Sequence, residues 1–472
     1  VGEGGQKKIG RRRHILRRVL IGFALCVGTL IIFHGPILRT IIRKYAIHYA
    51  GMQNLKVDFR LEGEPLSYLT FRNLHAVATG SSSVESIDID SLYVDYSLLG
   101  LVRHGFSNLL QAIEVRDAQV VLNPARAPPP KPHPKQQLEL PTIFPERIRI
   151  ADATLIVRSS PADFVLEHVD LDLNQRAPGE LRIAKLQLPS GDAWSKLSGQ
   201  TSYTSKNLVL RDVTLSDQIQ IRLLQVDASH IDSKSLAVKL ESIIGGGQLS
   251  ASVALNQTKS SLSVKTRVNA GKIAIGSLNK FLFLPEGYLS GEIERFALEG
   301  SGAIGAPRTW SGAMSLQVSD AHLPGVNFEK GTVEVSAGQG KATLQSVDII
   351  QDQNEFHLRG VIDLPETVDG FTRTPASLQV SGKLPDLEKL TAGGSLGLTG
   401  SIQFDGKLEI ANSNLQLNIG LAGAEIGFSN GTLDKLSATI RASKNLARGD
   451  TKKPWFTDFR TAMEFTLTGI RY

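Results

Sequence analysis

A short phrase that recurs five times constrains this chain more than any other feature. Its pattern is apolar, any, apolar, any, Asp or Asn, small, any, apolar. The copies run from Ile113 through Asp117 to Val120, from Ile148 through Asp152 to Leu155, and from Leu208 through Asp212 to Leu215. A fourth runs from Leu316 through Asp320 to Leu323, and a looser fifth from Ile426 through Asn430 to Leu433. Alternation with period two leading into a turn residue is a strand signature. The last apolar residue has the opposite parity to the first two, so a regular strand would send it to the other face. A bulge or turn at the Asp restores the face. Repetition of such a unit points to one long repeated sheet and away from a compact enzyme fold.

Charge narrows the function classes. The net charge of the 472 residues is +6. Residues 1–18 hold seven Lys or Arg against Glu3 alone, so the excess sits in a basic tail and the remainder is near neutral. Nucleic-acid binding is therefore not expected, because it needs a basic face on the folded part.

Residues 19–38 follow as an apolar run that includes Val19, Leu20, Phe23, Leu25, Leu30 and Phe33. About twenty such residues span a bilayer core as a helix. The seven basic residues before the run outnumber Arg39, Arg43 and Lys44 after it, which places the tail in the cytoplasm and the bulk across the membrane. No small-x-small cleavage site follows, so the run reads as an uncleaved anchor. Cys26, the single cysteine, lies inside it, so the exported part has no disulfide. Residues 37–50 continue as an amphipathic helix with Ile37, Leu38, Ile41, Ile42 and Tyr45 on one face. The chain starts on Val1 and stops inside a strand-like run, so a segment of a longer protein is expected.

Residues 39–123 read as a membrane-proximal module rich in strands with short helices. Within it Ile87 and Ile89 alternate, and Leu92 and Val94 continue after a parity slip at Ser91. The stretch Tyr96–Leu110 reads as a short helix. Residues 124–145 hold 8 of the 20 prolines and form a stiff loop. From 146 to 472 strand follows strand, with Gly245-Gly246-Gly247 and Asn430-Gly431 as hairpin turns. Only Ile275–Phe283 and Asp386–Thr391 look helical. Some 300–400 sheet residues at about ten per strand and turn suggest roughly 30–40 strands. The expected fold is mostly β: an elongated, repetitive antiparallel sheet curled into an open hydrophobic groove, with one N-terminal transmembrane helix and a few short helices.

Such a sheet must hide its apolar face or offer it to a guest. An acyl chain is the guest whose chemistry fits, because each buried methylene contributes about 0.8 kcal/mol. The candidate lining residues are the phrase apolars and their equivalents. In the first half these are Ile113, Val115, Ile148 and Ile150. Further on they are Leu208, Leu210, Leu316 and Val318, then Leu358, Leu417 and Ile419.

Several segments together resemble the AsmA-like superfamily, and most of all its TamB branch. They are the N-terminal layout, Val94–Val102 running into Ile113–Leu122, and the glycine–proline–glycine connection Gly305-Ala-Pro-Arg-Thr-Trp-Ser-Gly312 beside Leu289–Ile293 and Leu298–Gly300. The resemblance implies a repeating β-groove protein of the Gram-negative envelope. It would be anchored once in the inner membrane with its bulk in the periplasm, and would carry phospholipid acyl chains toward the outer membrane. The same resemblance implies an alternative, a scaffold for outer-membrane protein assembly working with an outer-membrane barrel partner.

Catalytic patterns lack their context. Gly300-Ser-Gly302-Ala-Ile-Gly305 matches a dinucleotide fingerprint, but Pro307 and a strand follow where a helix is needed. Gly393-Gly-Ser395-Leu-Gly397 matches a nucleophile elbow with no helix behind it. The ten histidines are dispersed, and the phrase aspartates are too far apart to converge on calcium. No metal, no cofactor and no enzymatic activity are expected.

Overall fold

The computed structural model describes residues 35–471, apart from 37, 98–108, 127–143, 258–260, 280, 282–283, 285–286, 324–325, 391–396, 429–430 and 447–459. The apolar run before residue 35, residues 98–108 of the helix expected over Tyr96–Leu110 and residues 393–396 of the elbow motif lie outside the described residues; Tyr96 and Leu110 themselves are strand residues. No described helix is long and apolar enough to cross a membrane. Residues 38–52 form α1, the one α-helix among the described residues.

The described residues divide between two compact units, one up to Lys196 and one from Leu197 onward. The first holds β1 (Leu55–Glu64), β2 (Tyr68–Ala78), β3 (Val84–Tyr96), β4 (Leu110–Leu122), β5 (Arg147–Val157), β6 (Phe164–Asn174) and β7 (Gly179–Gln187). β8 (Ala193–Tyr203) carries the chain into the second. There follow β9 (Asn207–Ser216), β10 (Ile219–Asp227), β11 (Ser235–Ile244), β12 (Gly247–Gln257), β13 (Leu262–Gly271) and the short β14 (Ile273–Ala274). Next come β15 (Ser290–Ala303), β16 (Ser311–Leu323), β17 (Val326–Gly338), β18 (Lys341–Gln351) and β19 (Asn354–Asp363). The last are β20 (Ala376–Leu384), β21 (Thr399–Ala411), β22 (Asn414–Phe428), β23 (Gly431–Asn445) and β24 (Arg460–Arg471).

The expectation of a mostly β chain holds, and the sheet stays open. The estimate of roughly 30–40 strands is too high, because strands of up to 15 residues leave 24 among those described. Pairings run between chain neighbours, except that β13 pairs with β15 past the short β14, and all but one of those described are antiparallel. β4 and β5 pair in parallel, Ile113 beside Ile148 and Leu122 beside Val157. Parallel neighbours need a long crossover, and the proline-rich segment between Leu122 and Arg147 supplies the length. The first two phrase copies therefore lie side by side, in register.

The expected bulge is present in four copies. Asp117, Asp152, Asp212 and Asp320 all adopt left-handed backbone, with φ between 48° and 58°. Asp and Asn tolerate this region better than branched residues do. In the first unit the bulges align across strands. The ladder passes from Arg72–Ser91 to Leu74–Ile89, and from Arg116–Ala151 to Ala118–Ala153. Asn73, Asp90, Asp117 and Asp152 are thus left out as one crease. The parity slip in β3 falls at Asp90, one residue before the position expected. The residue after each bulge turns to the apolar face and is small because it sits in the crease: Ala118, Val213 and Ala321 are buried there.

Elsewhere glycine serves the bulge. Gly291 (φ 122°) faces Asp320, and Gly400 (φ 99°) faces Glu425, where a Cβ would lie 2.3 Å from the Glu425 carbonyl oxygen. In the fifth phrase copy Phe428 pairs with Gly431, so β22 and β23 are joined there by a hairpin, the turn and not the bulge of the phrase reading. At the other expected turn, Ile244 pairs with Gly247, and Gly245 and Gly246 both have positive φ, as a two-residue hairpin of this hand requires. The remaining expected helices shrink to a 3₁₀ turn at Ile275–Leu278 and a plain turn near residues 388–390.

Candidate functional site: an uncovered apolar sheet face

Residues directly opposite in a ladder share a face, so the registers sort the side chains. In the first unit, Leu69, Val94, Ile113, Ile148 and Leu173 form one cross-strand row. Phe71, Leu92, Val115, Ile150 and Leu171 form the next. Beyond the crease the same face continues through Ile87, Val120, Leu155 and Leu166. The bulge thus keeps one face apolar along the whole strand.

The second unit extends the pattern. One row starts at Leu210 in β9, passes Leu240, Val268, Met314 and Leu378, and reaches Leu417 in β22 and Ala442 in β23. Every one of its fourteen members is aliphatic, Met or Gly. A second row joins Phe296, Leu316, Leu358, Val380, Ile419 and Met463. Val318 lies in a third, with Ile349, Phe356, Phe404 and Phe465. There Phe356 and Phe404 approach at 6.2 Å over the glycine between them, Gly382. Leu208 sits in a shorter row with Tyr203, Val226 and Val238.

All eleven residues named from the sequence therefore fall on the apolar face of their own unit. All eleven are half-exposed; none is buried. Sandwich-core residues would be covered by a second layer about 10 Å away, and no described residues supply such cover at these positions. Buried apolar side chains such as Phe59, Val213, Ile219 and Ile244 sit in creases and at strand ends, and on the rows themselves Leu69, Leu173, Tyr203 and Ala442 are buried too.

The opposite face is polar. Arg359, Gln379, Lys407, Asn418 and Arg441 make one row, and Asp348, His357, Ser381 and Asp405 the row beside it. A depression of about 920 Å³ lies over them. Its groups largely satisfy one another. His357 Nδ1 meets Asp348 at 2.7 Å, Arg359 Nε donates to Gln379 Oε1 at 3.0 Å, and Lys407 Nζ pairs with Glu409 at 2.6 Å. The Asp348 contact raises the pKa of His357, and His357 in turn holds Asp348 below its usual value. His168 beside Asp152 is raised in the same way. These pairs stabilise a wet surface.

The remaining sequence motifs resolve structurally. Gly300 and Gly302 of the dinucleotide fingerprint lie in β15, Gly302 beneath the ring of Trp310, whose Nε1 donates to the Ala303 carbonyl at 3.1 Å. His322 Nδ1 contacts the Asp320 carbonyl oxygen at 2.9 Å. No three metal-ligating side chains converge among the described residues. Sequence reasoning found the apolar parity but missed that its rows run unbroken from strand to strand. Register carries that information, and alternation within one strand does not. No protein-family model, curated protein or solved structure matches the chain.

Proposed function

We propose that this chain is a lipid conduit, in which phospholipid acyl chains lie along the apolar rows of the sheet while head groups stay in water. The supporting observation is the fourteen-strand apolar row from Leu210 to Ala442, free of charged members and half-exposed at every position but the buried Ala442. At the usual strand spacing it runs about 60 Å. Each methylene laid against it is stabilised by up to about 0.8 kcal/mol, and neighbouring positions on the row are chemically equivalent. A chain can therefore shift by one strand with little net change in free energy. No nucleophile, base or metal is needed. The resemblance to the AsmA-like superfamily adds the setting: an inner-membrane anchor formed by residues 19–38, a periplasmic sheet curled around its apolar face, and transport toward the outer membrane of a Gram-negative bacterium.

The test is photo-crosslinking in cells from Leu316 and Ile419 on the apolar face, with Lys407 on the polar face as control. Lipid adducts from the first two and none from Lys407 are expected. Adducts to outer-membrane barrel proteins from apolar positions, with no lipid, would favour the assembly-scaffold alternative instead.

A further inference from the structure

α1 carries a second apolar surface that the conduit does not use. Ile41, Tyr45, Tyr49 and Met52 recur at helical spacing and form one stripe. They are 56%, 73%, 58% and 63% exposed, among the barest large apolar side chains described. The opposite side of the helix is engaged. Arg43 pairs with Asp58 of β1 at 3.4 Å, and Arg39, Thr40 and Arg43 border a depression with Phe59, Leu61 and Asn73. The bare stripe thus has nothing from its own unit over it, while the far side is tied down.

The stripe's composition identifies its partner. Tyrosine joins an apolar ring to a hydroxyl and settles where hydrocarbon meets water. Lys44 and His48 flank it, and no acidic residue occurs from Val19 to Val57. An ordinary surface helix of this length would mix both signs on its outer face. Here the charge complements anionic head groups, which attract basic residues close to a bilayer. The apolar run over 19–38 ends three residues before Ile41, which puts the stripe within reach of any bilayer that run enters.

We propose that α1 lies flat on a bilayer surface containing anionic lipid, with Ile41, Tyr45, Tyr49 and Met52 sunk among the head groups and acyl ends, so that the first unit is held at a fixed angle to the membrane. This surface is separate from the sheet rows, and it stands or falls independently of whether the sheet carries lipid. It does rest on the anchor reading of residues 19–38.

The test uses the full chain carrying Cys26→Ser, reconstituted into vesicles of phosphatidylethanolamine and phosphatidylglycerol. Single spin labels are placed at Ile41, Tyr45, Tyr49 and Met52, and at Ala46 and Ala50 on the side turned to β1. Flotation first reports whether the chain is membrane-bound at all. Collision with oxygen and with a water-soluble nickel chelate then reports depth. The four stripe labels are expected to collide several-fold more with oxygen than with nickel, while Ala46 and Ala50 collide weakly with both. A chain that floats but whose stripe labels collide freely with nickel overturns the docking proposal and leaves the anchor intact. Stripe labels shielded from both reagents mean that a protein, such as a second copy, covers the helix, and likewise overturn it. A chain that does not float overturns both.

Discussion

At the scale of the residue, the repeated Asp solves a parity problem. Ile148 and Ile150 face the apolar side, and an unbroken strand would turn Leu155 away from it. Asp152 in left-handed backbone removes one residue from the alternation, so Ala153 and Leu155 rejoin the face. The requirement is conformational. At Asp212, φ is 55°. Asp212→Asn and Asp212→Gly should leave local stability nearly unchanged, whereas Asp212→Val should cost about 1–2 kcal/mol by forcing a branched residue into this region. Amide hydrogen exchange in β9 and β10 reads the difference, since local opening is resolved there even if the array does not unfold as one unit. Equal exchange in the Asn and Val variants would refute the conformational role. This much was legible in the sequence, because the parity slip is written in the phrase. The fifth copy was not separable from a hairpin, since Asn-Gly serves both. A second residue-level prediction concerns pH. His357 has its pKa raised above the ordinary 6.5 by its contact with Asp348. The protonated form is favoured by folding, so this contribution is complete below about 6.5 and fades as pH rises through the elevated value. Asp348 has its pKa lowered, so its share is present above about 3.9 and fades only as pH falls through the depressed value. Exchange protection of β18 and β19 should therefore weaken from pH 6 to 8 in the native chain and stay flatter in His357→Gln.

At the scale of the element, hydrophobic alternation settled which side of each strand is apolar but not which way the strand runs. Ile113, Val115, Ile148 and Ile150 would face the same side whether β4 and β5 were parallel or antiparallel. The direction is set by the crossover between Leu122 and Arg147, whose proline content signals a connection and says nothing about where it delivers the chain. Parallel pairing brings the two creases together and places Ala118 beside Ala153. Ala118 is only 7% exposed. The crease therefore has room for a methyl on each strand and little more. Ala118→Leu should cost about 1–3 kcal/mol by overpacking and speed exchange in β3, β4 and β5 together. The same change at Ala254, on the polar side of β12, should be nearly silent. If both are silent, the crease is not a packing constraint, and the small residue of the phrase has some other origin.

At the scale of the molecule, a conduit and a static lipid-binding surface differ in how damage spreads. A surface that only binds lipid loses capacity in proportion to the sites removed. A conduit needs continuity, because cargo must cross every strand between entry and exit. Leu316 lies between Phe296 and Val333 in one row, with Met314 and Val318 placing it between the neighbouring rows. An aspartate there puts an unpaired charge in the path of hydrocarbon, and an acyl chain cannot pass over it without desolvating the carboxylate at a cost of several kcal/mol. Leu316→Asp should therefore leave most of the bound phospholipid in place by mass spectrometry of the purified chain, yet slow vesicle-to-vesicle transfer by tenfold or more. Leu316→Asn, polar but uncharged, should fall between native and Asp. Lys407→Asp, on the opposite face of β21, should leave both readouts near native values. If occupancy and transfer fall together in proportion for Leu316→Asp, the rows hold lipid without conducting it. The unbroken row would then be a means of storing or presenting lipid.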